Sequence, residues 1–189
     1  MNKRTQRKMF NLLVSLLILV IGAYVVPRVE VMGGNQQPVP AGYFRVTELN
    51  DGDTITVDMS GVEEKIRMIG VDTPETEDPR KPVQCFGRAA STFTKELVGT
   101  QAVRLEADPL NTNRDRYNRL LRYVYLPDGR LVNSELIKQG YGFAYTSFPF
   151  TKLEEFKQLQ TEARQANRGL WNECSPETNQ YGGFTSNPE

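Results

Sequence analysis

The sequence predicts an α+β domain, and three patterns carry that prediction. Apolar and polar residues alternate with a period of two in short stretches between residues 43 and 126. A stretch with three- and four-residue apolar spacing divides them into three and two, and further helical stretches follow. Strands first and helices later, in one chain, are expected of a sheet or barrel with helices packed against it.

Tyr43–Asn50 reads as extended, and Asp51-Gly52 after it supplies hairpin-turn chemistry. From Asp53 to Met59, Ile55, Val57 and Met59 alternate with Thr54, Thr56 and Asp58, the pattern of a half-buried strand. Val62–Val71 gives a third strand, with Ile66 and Met68 on one face and Arg67 on the other. Phe86, Ala89, Ala90, Phe93 and Leu97 recur at helical steps. Val103, Leu105 and Ala107 mark a fourth strand, Leu120–Leu126 a fifth, and Asp128-Gly129 a turn. Val132–Gln139 is a short helix stopped by Gly140. In the last helix Thr151 and Glu154 have the spacing of a capping box; Leu153, Phe156, Leu159 and Ala163 form its apolar side, and Gly169 ends it. The tail, 175–189, is polar and expected to be loose. The order fits an OB-fold five-stranded β-barrel with about three helices, one of them between the third and fourth strands. An open antiparallel sheet covered by helices has the same order of elements.

Ahead of this domain, residues 1–8 form a basic flank and Met9–Val26 carries no charge. At a helical rise of ~1.5 Å per residue the uncharged run spans ~27 Å, close to the thickness of a bilayer core. A secretory apolar region is shorter, roughly 7–15 residues, and precedes a small-x-small cleavage site. The best candidate here, Val31-Met32-Gly33, sits well past the run. A signal anchor is therefore expected over a cleaved signal peptide, giving one transmembrane helix with the basic flank inside and the domain outside the cell membrane. Cleavage would make the protein secreted. Residues 27–42, Gly/Pro/Gln-rich from 33 onward, read as a tether to a domain at 43–174.

Composition narrows the chemistry. The 189 residues include no histidine and two cysteines. This excludes Ser-His-Asp and Cys-His catalysis, a histidine general base and a Cys-rich zinc site. The 23 basic residues balance the 23 acidic ones, but five of the former and one of the latter fall within the first 34 positions. The remainder thus carries four more acidic than basic residues, so an anionic substrate needs a local cationic site rather than bulk charge.

Asp51-Gly52-Asp53-Thr54 puts two carboxylates on one turn, a pattern that is more often purely structural. An EF-hand is excluded, because the expected ligand positions hold residues such as Ile55 and Val57. Asp72, Glu75 and Glu77 crowd a loop that Pro74 stiffens. Such carboxylates repel one another unless a cation relieves them, and oxygen-only donors suit a hard ion, Ca²⁺ or Mg²⁺. A solvated acidic loop is the plainer reading. Arg114, Arg116, Arg119 and Arg122 flank Tyr117; guanidinium groups bind phosphate in a bidentate manner and an aromatic ring can stack on a base. By itself this cluster reads as a solvated strand edge. Together, a hard metal, a carboxylate near water and two arginines are the parts needed to hydrolyse a phosphodiester without histidine.

DGDT at 51–54, R-x₄-DTPE at 67–75 and DRYNR at 115–119 resemble the three motifs of the staphylococcal nuclease (thermonuclease) family. Similar stretches continue through CFGRAASTFTKEL, DGRLVNSELIKQGYG and GLW at 169–171, so the resemblance covers residues 43 to 172. It implies an OB-fold barrel and a Ca²⁺-dependent endonuclease cleaving DNA and RNA on the 5′-oxygen side of the phosphate, leaving 3′-phosphate ends, with single-stranded or locally melted substrate favoured. By position, Asp53 and Asp72 would be carboxylate ligands of Ca²⁺, Thr73 would add its carbonyl and Asp51 would stand behind them. Glu75 would activate or orient water, Arg67 and Arg119 would clamp the scissile phosphate, and Tyr117 and Tyr145 would lie beside the nucleotide. No obligate protein partner is implied. Asn118 stands where the family usually has glycine, and asparagine tolerates left-handed backbone better than most residues. The acidic domain departs from the basic family habit and predicts weaker, more salt-sensitive nucleic-acid affinity.

Cys85 begins the first long helix and Cys174 follows the last. In an exported domain a disulfide between them is expected, the alternative being two free thiols. The rival to a nuclease is a catalytically silent OB-type module that binds nucleic acid or protein. Such a module typically lacks catalytic positions that are all filled here, namely Asp53, Arg67, Asp72, Glu75 and Arg119. A structural envelope protein on an anchor leaves that constellation without a purpose.

Overall fold

A computed structural model describes residues 2, 4, 39–76, 82–180 and 182–188. The chain divides into two compact units, Met1–Pro38 and Val39–Glu189. The expected anchor at Met9–Val26, most of the tether and Glu77 lie outside the described residues. Among the described residues no helix is long and apolar enough to cross a membrane.

The second unit is built on a closed barrel. Its strands are β1 (Phe44–Asp51), β2 (Thr54–Asp58), β3 (Glu63–Met68), β5 (Ala102–Glu106) and β6 (Leu120–Tyr125); β4 (Val71–Asp72) and β7 (Phe143–Ala144) form a separate pair. Around the barrel the order is β1-β2-β3-β6-β5, with β5 returning to β1. The β3–β6 pairing is parallel and the other barrel pairings are antiparallel. Helix α1 (Gly87–Val98) lies between the third and fourth barrel strands, as the OB order requires. Then come α2 (Val132–Lys138), α3 (Leu153–Gln165) and the single turn α4 (Leu170–Glu173).

The alternation read from the sequence fills the barrel: Ile55, Val57, Ile66, Met68, Val103, Leu120 and Val124 are buried and belong to one core with Leu136, Ile137 and Phe156. Each large aliphatic side chain so buried contributes roughly 1.5–3 kcal/mol. Strand β2 departs from its half-buried expectation, because Thr54 and Thr56 are buried too. Their hydroxyls are satisfied locally, by Asp53 Oδ1 at 3.1 Å and Asn50 Oδ1 at 2.8 Å.

Four expectations need correction. The third strand does not run to Val71. It stops at Met68, and Gly70, at φ +73°, turns the chain into β4. A side chain at Gly70 would meet the Phe150 ring at 2.6 Å, so position and conformation both require glycine. The buried side of α1 centres on Ala90, Thr94 and Val98 rather than Ala89, Phe93 and Leu97, which are only partly buried. Thr151 makes no capping box, because its hydroxyl and N–H both go to the buried Asp108 carboxylate, at 2.6 and 2.7 Å, and Lys152 stands at the helix start instead. The expected loose tail is tied down: β8 (Glu177–Thr178) pairs with β9 (Phe184–Thr185), and Ser186 is buried. Cys85 and Cys174 are joined in a disulfide. It closes a loop of 89 sequence steps, a constraint worth about 4–5 kcal/mol when counted as unfolded-chain entropy.

Candidate active site

The turn after β1 and the loop after β4 meet at one end of the barrel. Gly52 permits the meeting, since a side chain there would lie 2.8 Å from that of Thr73. The buried Thr94 of α1 donates its hydroxyl to the Gly52 carbonyl at 2.6 Å and fixes the turn from below. On the loop side, Asp72 pairs with Phe143 across β4 and β7, and Tyr145 N–H donates to the Gly70 carbonyl at 2.9 Å. Buried Asn133 donates to the Ile69 carbonyl at 2.9 Å and accepts from Val124 N–H at 3.0 Å, holding the place where β3 breaks.

Asp53 is buried, and its Oδ2 accepts from the Thr73 N–H at 2.8 Å and the Thr73 hydroxyl at 3.1 Å. Arg67 Nη2 lies 3.2 Å from the same oxygen and 2.8 Å from Asp72 Oδ1. Its Nη1 donates to the carbonyls of Val71 at 2.7 Å and Met68 at 3.0 Å. Burial alone would lower the pKa of this guanidinium, but Asp53, then Asp72 and Asp51, hold it above its ordinary value, and Tyr145 lies near enough to add to the effect.

Asp51 accepts from Gly52 N–H at 2.7 Å and from the Thr76 hydroxyl at 2.9 Å. Burial and then the charge of Asp53 raise its pKa from 3.8 to about 6, with Glu75 adding to the rise and the two hydrogen bonds opposing it. The Glu75 carboxylate accepts from Thr76 N–H at 2.9 Å. Its backbone is gripped by Gln84, whose side-chain oxygen accepts the Glu75 N–H at 2.8 Å and whose own N–H donates to the Glu75 carbonyl at 2.9 Å.

The DRYNR segment forms a second cluster, in which Asp115 is the organiser. Asp115 Oδ1 accepts the N–H groups of Tyr117 at 2.9 Å and Arg119 at 3.0 Å, and Oδ2 takes Nε of Arg119 at 2.8 Å and Nη2 at 2.7 Å. Burial pushes the Asp115 pKa up, but the Arg119 N–H and guanidinium outweigh it and leave it below the ordinary carboxylate value. Asn118 adopts φ +66°, the left-handed conformation expected of it in place of glycine. Tyr117 is exposed, with the guanidinium carbons of Arg116 and Arg119 at 4.8 and 5.4 Å from its ring centre. The register Ile66↔Leu120 and Arg67↔Leu121 places Arg119 two residues before the partner of Arg67. Arg119 thus immediately precedes β6, the strand that lies beside the one carrying Arg67.

The structure thus brings Asp51, Asp53, Arg67, Asp72, Thr73 and Glu75 into one cluster and seats Tyr145 against it. Arg119 and Tyr117 make their own contacts with each other and with Asp115, one strand over. Sequence reasoning missed Thr76, Gln84, Thr94 and Asp115 as the groups that orient the predicted ones. For Asp115 a local signal existed, since Asp-x-x-x-Arg across a turn is a carboxylate poised to accept backbone N–H groups.

The residues suit a hard cation. Two carboxylates from separate segments already converge on one cationic atom, Arg67 Nη2, and the donors are oxygens. Among the described residues no three acidic side chains form a metal cage. A cation here would rely on two carboxylates, backbone oxygen and water, a set that hard divalent ions accept.

A sequence profile described as "Staphylococcal nuclease homologue" matches residues 65–173. The thermonuclease of Staphylococcus hyicus is 39% identical over 163 residues, covering 82% of this chain and 95% of that protein. The thermonuclease of Staphylococcus intermedius is 43% identical over 129 residues, covering 68% and 75%. Endonuclease YncB of Bacillus subtilis (strain 168) is 40% identical over 131 residues, covering 68% of this chain and 61% of its own length. With its five-stranded barrel and its DTPE and DRYNR turns, the chain belongs to the staphylococcal nuclease family and is a nuclease.

Proposed function

We propose that the protein is a Ca²⁺-dependent endonuclease that hydrolyses DNA and RNA on the 5′-oxygen side of the phosphate and leaves 3′-phosphate ends. The observation that carries this reading is the convergence of Asp53 and Asp72 on the Nη2 atom of Arg67. Asp53, Asp72 and the Thr73 carbonyl would hold the ion, with Asp51 behind them. When bound, calcium supplies charge neutralisation at a phosphate oxygen.

The chain's own residues do the rest. Glu75 receives or orients the proton of the attacking water, its carboxylate steadied by the Thr76 N–H. Water oxygen bonds to phosphorus, the bond to the 5′-oxygen breaks, and that oxygen takes up a proton. Arg67 and Arg119 clamp the scissile phosphate and offset the charge that grows on its oxygens. Tyr117 and Tyr145 lie beside the nucleotide.

The uncharged run Met9–Val26 supports a further part of the proposal: a signal anchor that holds the nuclease outside the cell membrane. The catalytic reading is tested by plasmid cleavage with the parent and Glu75→Gln, with and without Ca²⁺. Parent cleavage that needs calcium and a variant slowed by about a thousandfold are expected for loss of the group acting on water. Undiminished cleavage by Glu75→Gln, or cleavage in excess chelator, would overturn the reading.

A further inference from the structure

The chain after the last helix returns to the loop that carries Glu75. Gln84 brackets the Glu75 peptide by two hydrogen bonds, one from each side of the residue. The bracket is itself fastened by the tail. Gln84 forms a bridge with Pro188, and its side-chain N–H reaches the Thr185 hydroxyl at 3.4 Å. Cys85 N–H donates to the Asn187 carbonyl at 2.7 Å, and the Ser186 hydroxyl donates to the Cys85 carbonyl at 2.8 Å. The disulfide binds Cys85 to Cys174, one residue before the tail begins, and Asn187 reaches back to the Ser175 carbonyl at 3.0 Å. The Phe184 ring packs edge-on against Trp171 at 5.1 Å, anchoring the hairpin to the helical side.

None of these contacts is needed to close the barrel. Those of Pro188, Thr185, the Asn187 carbonyl, Ser186 and Cys174 fall on residues 84–85, and the Asn187–Ser175 and Phe184–Trp171 contacts hold the tail to itself and to the last helix. We propose that the tail segments 175–180 and 182–188 and the Cys85–Cys174 disulfide form a clamp that sets the position of Glu75 through Gln84, which is a positioning residue for hydrolysis. This rests on the assignment of Glu75 to the attacking water. A carboxylate that must meet a water within hydrogen-bond reach loses its effect when its peptide drifts, since a displacement of about 1 Å at a reacting group can cost up to about a hundredfold in rate. The neighbouring backbone can reach Glu75 with no longer-range support; the clamp adds a covalent tie and a second strand that restrict that drift.

The test compares full-length parent, Gln84→Met and Gln84→Glu. Methionine keeps the length of the side chain and removes the acceptor; glutamate restores an acceptor for the Glu75 N–H. Gln84→Met should lower kcat by about tenfold with KM unchanged, and Gln84→Glu should recover most of the loss. In the metal-free protein, hydrogen exchange at the Glu75 amide should speed up in Gln84→Met alone. Placed on Glu75→Gln, the Gln84→Met change should have no further effect, as expected of a residue acting through Glu75. The tail's share is read from Ser186→Ala, which should lower kcat and leave KM unchanged. Cys85→Ser/Cys174→Ser should do the same at temperatures well below its unfolding. If Glu75→Gln is fully active, the reading of Glu75 fails whatever Gln84 does. If Glu75→Gln is inactive but Gln84→Met keeps its parent kcat and amide protection, or lowers the residual rate of Glu75→Gln equally, the clamp fails. Parent kcat in both Ser186→Ala and the cysteine pair would remove the tail from the clamp.

Discussion

Nη2 of Arg67 lies 2.8 Å from Oδ1 of Asp72, and the same nitrogen is the cationic neighbour of buried Asp53. One guanidinium therefore offsets two carboxylates from separate turns. Removing it leaves Asp53 buried without a counter-charge, a change that costs about 3 kcal/mol when a largely buried pair is broken. A cation placed between the carboxylates would replace what was lost. Arg67→Ala should unfold at lower temperature than the parent in chelator, and added Ca²⁺ should narrow the gap. Thermal unfolding with and without calcium reads this out; an equal calcium shift in both proteins would contradict it.

Asp51 gives the fold a pH dependence of defined sign. Its pKa is about 6 in the folded protein against 3.8 for the free side chain. Between those values the folded chain keeps a proton that the unfolded chain has released. Stability from this group therefore falls as pH rises from about 4 to 6 and stays lowered above that. Asp51→Asn removes the ionisation, so it should raise the melting temperature at pH 7.5 and do so much less at pH 4.5. Equal shifts at the two pH values would show that the carboxylate carries no such penalty.

Arg119 is held by Asp115 rather than by the core, so its loss should spare the fold. Arg119→Ala should lower kcat by roughly a thousandfold, about 4 kcal/mol of transition-state stabilisation. The melting temperature should move little, because Asp115 keeps the N–H groups of Tyr117 and Arg119 as partners. Asp115→Asn should retain the turn but loosen the guanidinium, with a smaller fall in kcat. Steady-state kinetics beside thermal unfolding separate the two effects; a parent-like kcat in Arg119→Ala would refute its role.

Much of this arrangement was legible in the sequence, where the information is local. Alternation in Ile55, Val57, Ile66 and Met68 marks the barrel interior because side chains on a strand face opposite ways. The strand–helix order fits the barrel as well as an open sheet covered by helices, and the DGDT and DTPE turns are visible as clustered carboxylates. The rest depends on partners far along the chain. Thr151 looks like a helix cap from its neighbours, but Asp108, 43 positions away, takes both its donors. Ser186 reads as part of a loose polar tail, yet it is buried against Cys85, 101 positions away. Gly70 alone could have signalled the break in β3, because a glycine inside an apolar strand pattern marks a bend.

The central claim is that Asp53 and Asp72 together hold one calcium ion, and calorimetric titration with Ca²⁺ tests it most directly. The parent should bind one ion, and Asp53→Asn and Asp72→Asn should each weaken binding by about tenfold or more, since removing one anionic oxygen ligand lowers the charge on which affinity depends. Calcium affinity equal to the parent's in either variant would contradict the account.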